Sequence, residues 1–381
     1  MTFFGEIGFF ALLGFLAIPA VILGLTGRPI KWYGMAATLF AVGFLLAPTP
    51  RQLVLLAGFL LGETLVMKAH LWFITRHGNT NRHERRLAVA AALAPLAVVK
   101  VTGLFDFPSL GFIGVSYLSF RAVQVIVEIS DKLITEQGVL DYLYFVAFFP
   151  TLSSGPIDRS RRFLQDADRS FSREDYLNLL GRGLWLLLLG AVYKFAASAL
   201  FAGWLLKLGA GPVNTLAYMY VYSLYLFFDF AGYSLMAVGA SHLFGIRTPM
   251  NFRLPFVSAS IKEFWNRWHI TLSFWLRDYV YTRLLMSFVR RKTFANRHSA
   301  SYVALVVNMG LMGVWHGTAW YYIAYGLYHG VLLVLNDLYE RKSRFYTEHK
   351  SSPWYRVAAI VVTFHLVAFG FLLFSGRLSW A

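Results

Sequence analysis

Two histidines stand in the stretches of this chain whose residue types can do chemistry. His269 lies in SIKEFWNRWHITLSFWLRDYVY (260–281) and His316 in GVWHG (313–317). Imidazole exchanges a proton near neutral pH, and in apolar surroundings it stays neutral, which makes it a competent general base. Such a base can take the proton from an alcohol attacking an ester or thioester. That is acyl transfer without a covalent enzyme intermediate, and it fits a chain that contains no cysteine. The same absence excludes disulfides, thiolate metal sites and a cysteinyl acyl-enzyme. No HExxH or other metal-ligand spacing is present, so no metal is expected, and neither a P-loop nor a glycine-rich nucleotide fingerprint is found.

Each of these residues also has a plainer reading. Gly313-x-x-x-Gly317 fits a helix-packing face with His316 as hydrogen-bonded structure, although the glycines would equally let a thin acyl-bearing arm reach the imidazole. His269 beside tryptophans fits an interfacial anchor. Asp229 and Glu63, inside apolar runs, can pair with Lys194, Lys68 or another internal cation, or form with Lys68 the coupling relay of a transporter or flippase. No inverted repeat supports that last reading. His70, His242, His329 and His365 have no surrounding pattern and read as packing residues.

The elements that must position these groups are those of a membrane protein. Hydrophobic residues make up 57% of the 381 and charged residues 14%, against about 25% charged in soluble domains. Mean hydropathy is +0.55, and apolar runs continue from end to end, which predicts one all-α polytopic domain over 1–381. The net charge of +16 sits in clusters between those runs, at 76–86, 159–162 and 290–297. Cytoplasmic loops account for it better than nucleic acid does, and a basic cytoplasmic face would attract anionic lipid or an acidic protein.

Apolar spans are predicted at 8–26, 33–47, 52–75, 87–101, 115–129, 139–152, 301–320, 321–338 and 357–374. The runs at 176–208 and 213–246 exceed one span and should be tilted, kinked or divided. Roughly eleven spans result, beginning with a retained N-terminal one that starts outside. Asp106, Pro108 and several glycines predict a broken or re-entrant element at 105–120.

Capping boxes at Ser172-x-x-Asp175 and Ser260-x-x-Glu263 each predict a helix start. From Ser260 onward, Phe264, Trp268, Leu272 and Trp275 form one apolar stripe, and Glu263 with Arg267 an i,i+4 pair. The segment 281–292 is basic and amphipathic. It reads either as a helix resting on lipid or as a docking surface built from Arg283, Leu284, Leu285, Met286, Val289 and Arg290.

KEFWNRWHITLSFWLRDYVY (262–281) and GVWHGTAWYYIAYGLYHG (313–330) together resemble the signature of the membrane-bound O-acyltransferase family. FFPTLSSGPIDR (148–159), YLFFDFAGYSLMAVG (225–239) and KTFANRHSASY (292–302) extend the likeness, the last toward the branch that moves D-alanine onto teichoic acid. The resemblance implies a ring of helices with interfacial and re-entrant pieces around a central funnel. It places the family's invariant histidine on His316 and its second signature position on His269. It also implies a donor, D-alanine held as a thioester on the phosphopantetheine of a small acidic cytoplasmic carrier, so this chain would bind no cofactor of its own. Teichoic acid or its lipid and other membrane proteins of the pathway are the remaining implied partners. O-acetylation of an extracellular polysaccharide is the alternative within the family.

Overall fold

The computed structural model describes residues 3–78, 82–103 and 110–380, with side chains at 82, 379 and 380 left aside. Every regular element among them is helical, as expected. In chain order they are α1 (Ile7–Leu25), α2 (Lys31–Leu46), α3 (Pro50–His77), α4 (Arg82–Thr102), α5 (Val115–Ser130), α6 (Val139–Ala147), α7 (Ser160–Ala167) and α8 (Arg173–Ala191). There follow α9 (Ser198–Leu205), α10 (Pro212–Leu243), α11 (Ile261–Trp265), α12 (Ile270–Leu276), α13 (Thr282–Arg290) and α14 (Arg297–His316). The series ends with α15 (Trp320–Lys342), α16 (Arg344–His349) and α17 (Pro353–Phe374). Contacts sort these into two compact units, Met1–Ala191 with Tyr233–Pro249, and Val192–Gly232 with Met250–Ala381.

Large apolar side chains face outward on the long helices: Val54 on α3 is 70% and Phe15 on α1 68% exposed. On a helix this apolar, such a surface belongs against lipid. Five segments among the described residues are long and apolar enough to cross a membrane: α1, α3, Arg173–Leu205, α10 and α17. That is fewer than the eleven expected from apolar runs, for physical reasons that differ by element. The run at 139–152 yields only the nine residues of α6 before a 3-10 turn at Phe149–Thr151, about 14 Å of helix. α14 and α15 are long enough but carry Asn308, His316, His329 and several tyrosines. Asp106 and Pro108, on which the re-entrant element at 105–120 rests, lie outside the described residues.

In the first unit α5 is buried along its whole length, polar residues included. Arg121 donates to the carbonyls of Phe145 (3.2 Å), Val146 (2.9 Å) and Thr151 (2.7 Å), and Gln124 to that of Asp158 (2.8 Å). A charge enclosed this completely must be hydrogen-bonded, and here its partners are the backbone of the turn at 145–158. The long run at 176–208 is divided, as expected, by a π-helical turn at Val192–Ala197, at the point where the second unit begins.

The predicted caps form. Ser260 Oγ accepts from Glu263 N (3.1 Å), and Ser172 Oγ from Asp175 N (3.0 Å). The single helix expected from Ser260 does not. It stops at Trp265, breaks over 266–269, and resumes as α12. His269 sits in the break with φ 44°, the left-handed region that β-carbon sterics disfavour. The four stripe residues are nonetheless buried together, Phe264 at 1% and Leu272 at 1% exposure, because the break redirects the chain without exposing them.

Candidate functional site

The break gives His269 its place. Arg253 N bonds to Arg267 O (3.0 Å) and Ile270 N to Asn251 O (2.9 Å), so the backbone on either side of His269 is stitched to the segment 251–253. The carboxamide oxygen of Asn251 accepts from Thr271 Oγ (2.6 Å) and Thr271 N (3.3 Å) and lies 3.4 Å from His269 Nδ1. Because an amide oxygen can only accept, the imidazole facing it presents Nδ1–H and keeps the lone pair on Nε2. Phe230 caps the ring edge-to-face at 4.7 Å. His269 is 3% exposed, and its burial, outside any spanning helix, pushes its pKa down. The ring is therefore neutral and weakly basic.

His316 is the last residue of α14 and is half-buried. Its ring lies against Trp315 (4.6 Å between centroids) and edge-on to Phe374 (5.0 Å, 86°). The flanking glycines serve helix packing and are not open to an acyl arm. A side chain at Gly313 would run into the Tyr322 carbonyl, one at Gly317 into the Tyr322 ring, and one at Gly326 into the Met309 carbonyl. Glycine at these points lets α14 and α15 close into a hairpin and fixes where His316 ends.

His269 and His316 line one cavity of about 100 Å³, with Phe230, Trp265, Trp268, Tyr325 and Phe374 among its walls. A water needs roughly 10–15 Å³ on this measure, so the space suits a small acyl group or a few waters and not a lipid chain. Polar groups of its lining are the two imidazoles, the indoles and one phenol, with no carboxylate among the described residues. The arrangement can bring a neutral base to a carbonyl carbon in an enclosure with little water. Asn251, Thr271, Tyr325 and Phe374 belong to this site and were not foreseen. Asn251 had no signal in NFRLPF beyond its type, since its value comes from a contact eighteen residues away.

The remaining predicted residues fall elsewhere. Asp229 pairs with Lys194 (2.5 Å) and accepts from Ser198 Oγ (3.3 Å), as one reading expected. Glu63 does not pair with Lys68. Lys68 donates to the Gln137 carbonyl (2.8 Å), and both Glu63 oxygens are buried with no hydrogen-bond partner among the described residues. His70 bonds to Ser130 Oγ (2.8 Å) and His365 to the Val361 carbonyl (2.7 Å). Among the described residues no three metal-ligating side chains stand together.

On α13 the expected docking face needs correction. Leu285 is 8% exposed and packs with Ala300 and Ala304, and Leu284 lies against the same cluster. Met286 (47%) and Val289 (42%) face outward, with Arg290 exposed and Arg283 half-buried over the Tyr279 ring. α14 covers the leucines, so the free face is Met286, Val289 and Arg290, with Arg283 at its edge.

A model of the membrane-bound O-acyltransferase family matches residues 116–375. A teichoic acid D-alanyltransferase of Bacillus subtilis is 40% identical over 99% of this chain and 98% of its own length. The protein of the same name from Streptococcus thermophilus is 43% identical over 75% of this chain and 74% of its own. A probable alginate O-acetylase of Pseudomonas syringae is 34% identical over 70% of this chain and 49% of its own.

Proposed function

This chain belongs to the membrane-bound O-acyltransferase family, and from that premise we propose that it carries D-alanine from a cytoplasmic phosphopantetheinyl carrier to teichoic acid outside. It is a multi-pass membrane acyltransferase; the donor, the acceptor and the direction are our reading. The observation that carries it is the shared cavity of His269 and His316. The D-alanyltransferase of Bacillus subtilis matches 99% of the chain at 40% identity, whereas the alginate O-acetylase match leaves 30% of it uncovered, which favours D-alanine over acetate as the acyl group.

The thioester carbonyl enters the cavity and an acceptor hydroxyl attacks its carbon. His316 takes the hydroxyl proton as the C–O bond forms, and the tetrahedral intermediate collapses with loss of the thiolate. His316 then returns the proton to that sulfur, leaving a D-alanyl ester and a free carrier thiol. His269, held neutral by its surroundings, accepts a hydrogen bond at Nε2 in the same space without changing charge. The free face of α13 receives the carrier: Met286 and Val289 offer apolar contact and Arg290 and Arg283 attract its acidic side.

Purified protein supplied with D-alanyl-loaded carrier should release or transfer D-alanine. His316→Ala should lower that turnover by about 10²–10⁴-fold, the usual span for a positioned proton-transfer group. Unchanged turnover would remove His316 from the mechanism.

A further inference from the structure

His329, on α15, has no exposed surface, and neither of its ring nitrogens has a hydrogen-bond partner among the described residues. Phe264, Trp265, Tyr325 and Tyr328 surround the ring. At Gly370 the absence of a side chain lets α17 close on Nε2. Trp265 stands edge-on to it (5.1 Å, 88°) and shares its condition: the indole N–H is buried without an acceptor among the described residues. Trp265 and Tyr325 are at the same time walls of the cavity that holds the two catalytic histidines.

Buried polar atoms left unpaired weaken a fold, and each one asks for a partner that arrives later or for water. Here a donor without an acceptor and an imidazole without any partner lie side by side behind one cavity. A neutral imidazole has one N–H and one lone pair in either tautomer, so an acceptor is present whichever form is taken.

We propose that Trp265 and His329 form the niche that recognises the α-aminoacyl part of the donor. The indole N–H donates to the acyl carbonyl oxygen, and the imidazole lone pair accepts from the amine. This rests on the D-alanine reading above. The complementarity is two-point: an aminoacyl group offers one acceptor and one donor on adjacent carbons, and the niche offers their counterparts. An amine entering this cavity meets no carboxylate among the described residues. It must rely on a neutral acceptor and on aromatic faces, both of which this wall supplies. An acetyl group would satisfy Trp265 and leave His329 unpaired, so the contact separates aminoacyl from plain acyl donors in a way an apolar pocket cannot. Tyr325 lines the cavity and lies 4.7 Å from His329 between centroids, so the amine reaches the imidazole when this ring turns aside.

The test uses the full chain in detergent with one carrier loaded either with D-alanine or with propionate, which has the same carbon skeleton and no amine. His329→Phe keeps an aromatic ring and removes both nitrogens. Its kcat/KM should fall about 10- to 100-fold for D-alanyl carrier while propionyl transfer stays within about twofold. Removing an unpaired polar group favours the fold while the larger phenyl ring is crowded by α17 at Gly370, so the thermal midpoint should change little. Equal loss with both donors, or undiminished D-alanyl transfer, overturns the niche. Trp265→Phe gives a second arm should His329→Phe not fold: turnover should fall with both donors, and undiminished turnover again overturns the niche. A wild-type chain that uses propionyl but not D-alanyl carrier overturns the D-alanine reading and the niche with it. Wild-type activity on D-alanyl carrier, without donor discrimination in His329→Phe, overturns the niche alone.

Discussion

Asn251→Ala isolates what holds His269 in place. The side chain is 1% exposed, and its oxygen accepts from Thr271 Oγ at 2.6 Å and Thr271 N at 3.3 Å while facing His269 Nδ1 at 3.4 Å. Truncation strands these donors. A buried group without its partner costs about 1–3 kcal/mol, and only the 2.6 Å bond has near-ideal length, so the loss should be about 2 kcal/mol and not the sum of three. The backbone bond from Ile270 N to Asn251 O survives, so the left-handed turn at His269 persists and the protein folds. Turnover should suffer more than stability. Without the acceptor opposite Nδ1 the imidazole loses its preferred tautomer and orientation, and a misplacement of about 1 Å can cost 10²-fold in rate. Thr271→Val is the matched control, since it removes the hydroxyl yet leaves the Asn251 oxygen facing His269. The assay is kcat and KM for D-alanyl-loaded carrier beside the thermal midpoint of each variant. Asn251→Ala should lower kcat with KM held, and Thr271→Val should lower the midpoint with kcat nearly kept. If both lower turnover in step with stability, Asn251 is only a strut and its orienting role is wrong.

On α13, Met286→Asp and Val289→Asp should weaken carrier binding at least tenfold without loss of fold, whereas Leu285→Asp, which buries a charge against Ala300 and Ala304, should unfold or mis-express; calorimetric titration beside size-exclusion profiles distinguishes these. Asp229→Asn leaves Lys194 without its counter-charge at membrane depth, so it should destabilise more than the double variant Lys194→Met with Asp229→Leu, measured as thermal midpoints in one detergent. Gly326→Val places a side chain against the Met309 carbonyl and should part α14 from α15, lowering stability and turnover together; a fully stable variant would contradict the close approach of the two helices.

Helix starts and buried faces were legible because they depend on neighbours in sequence. Ser260 and Ser172 cap as their spacing requires, and the Phe264, Trp268, Leu272 and Trp275 stripe is buried as its period requires. The interruption at 266–269 was not legible, because no proline or glycine marks it. What stabilises it is Ile270 N donating to Asn251 O and Arg253 N donating to Arg267 O across the break, contacts between segments that local spacing does not reveal. The same limit explains α13. Its amphipathic period is real, but which apolar residues face a partner was decided by Ala300 and Ala304 on α14, which claim Leu285 and leave Met286 and Val289 outside. Apolar runs are a loose guide to span length for a related reason. An apolar run says that residues avoid water, and α6 avoids it inside the protein over a length too short to cross lipid.

The left-handed turn at His269 and the helix end at His316 make the two imidazoles unequal partners. A non-glycine residue with φ 44° costs about 1–2 kcal/mol, and it persists where surrounding bonds over-determine it, as the backbone pairs at Asn251 and Arg253 do here. His269 is 3% exposed, and burial disfavours a positive charge on its ring, so proton transfer to it is unfavourable. His316 is only half-buried and ends a twenty-residue helix, where the free carbonyls present their negative end to any charge the ring acquires. Burial and helix polarity therefore agree on a division of labour, with His316 moving the proton and His269 holding the geometry. A chain in which both rings were equally enclosed would have no site for the transient positive charge that general-base chemistry creates.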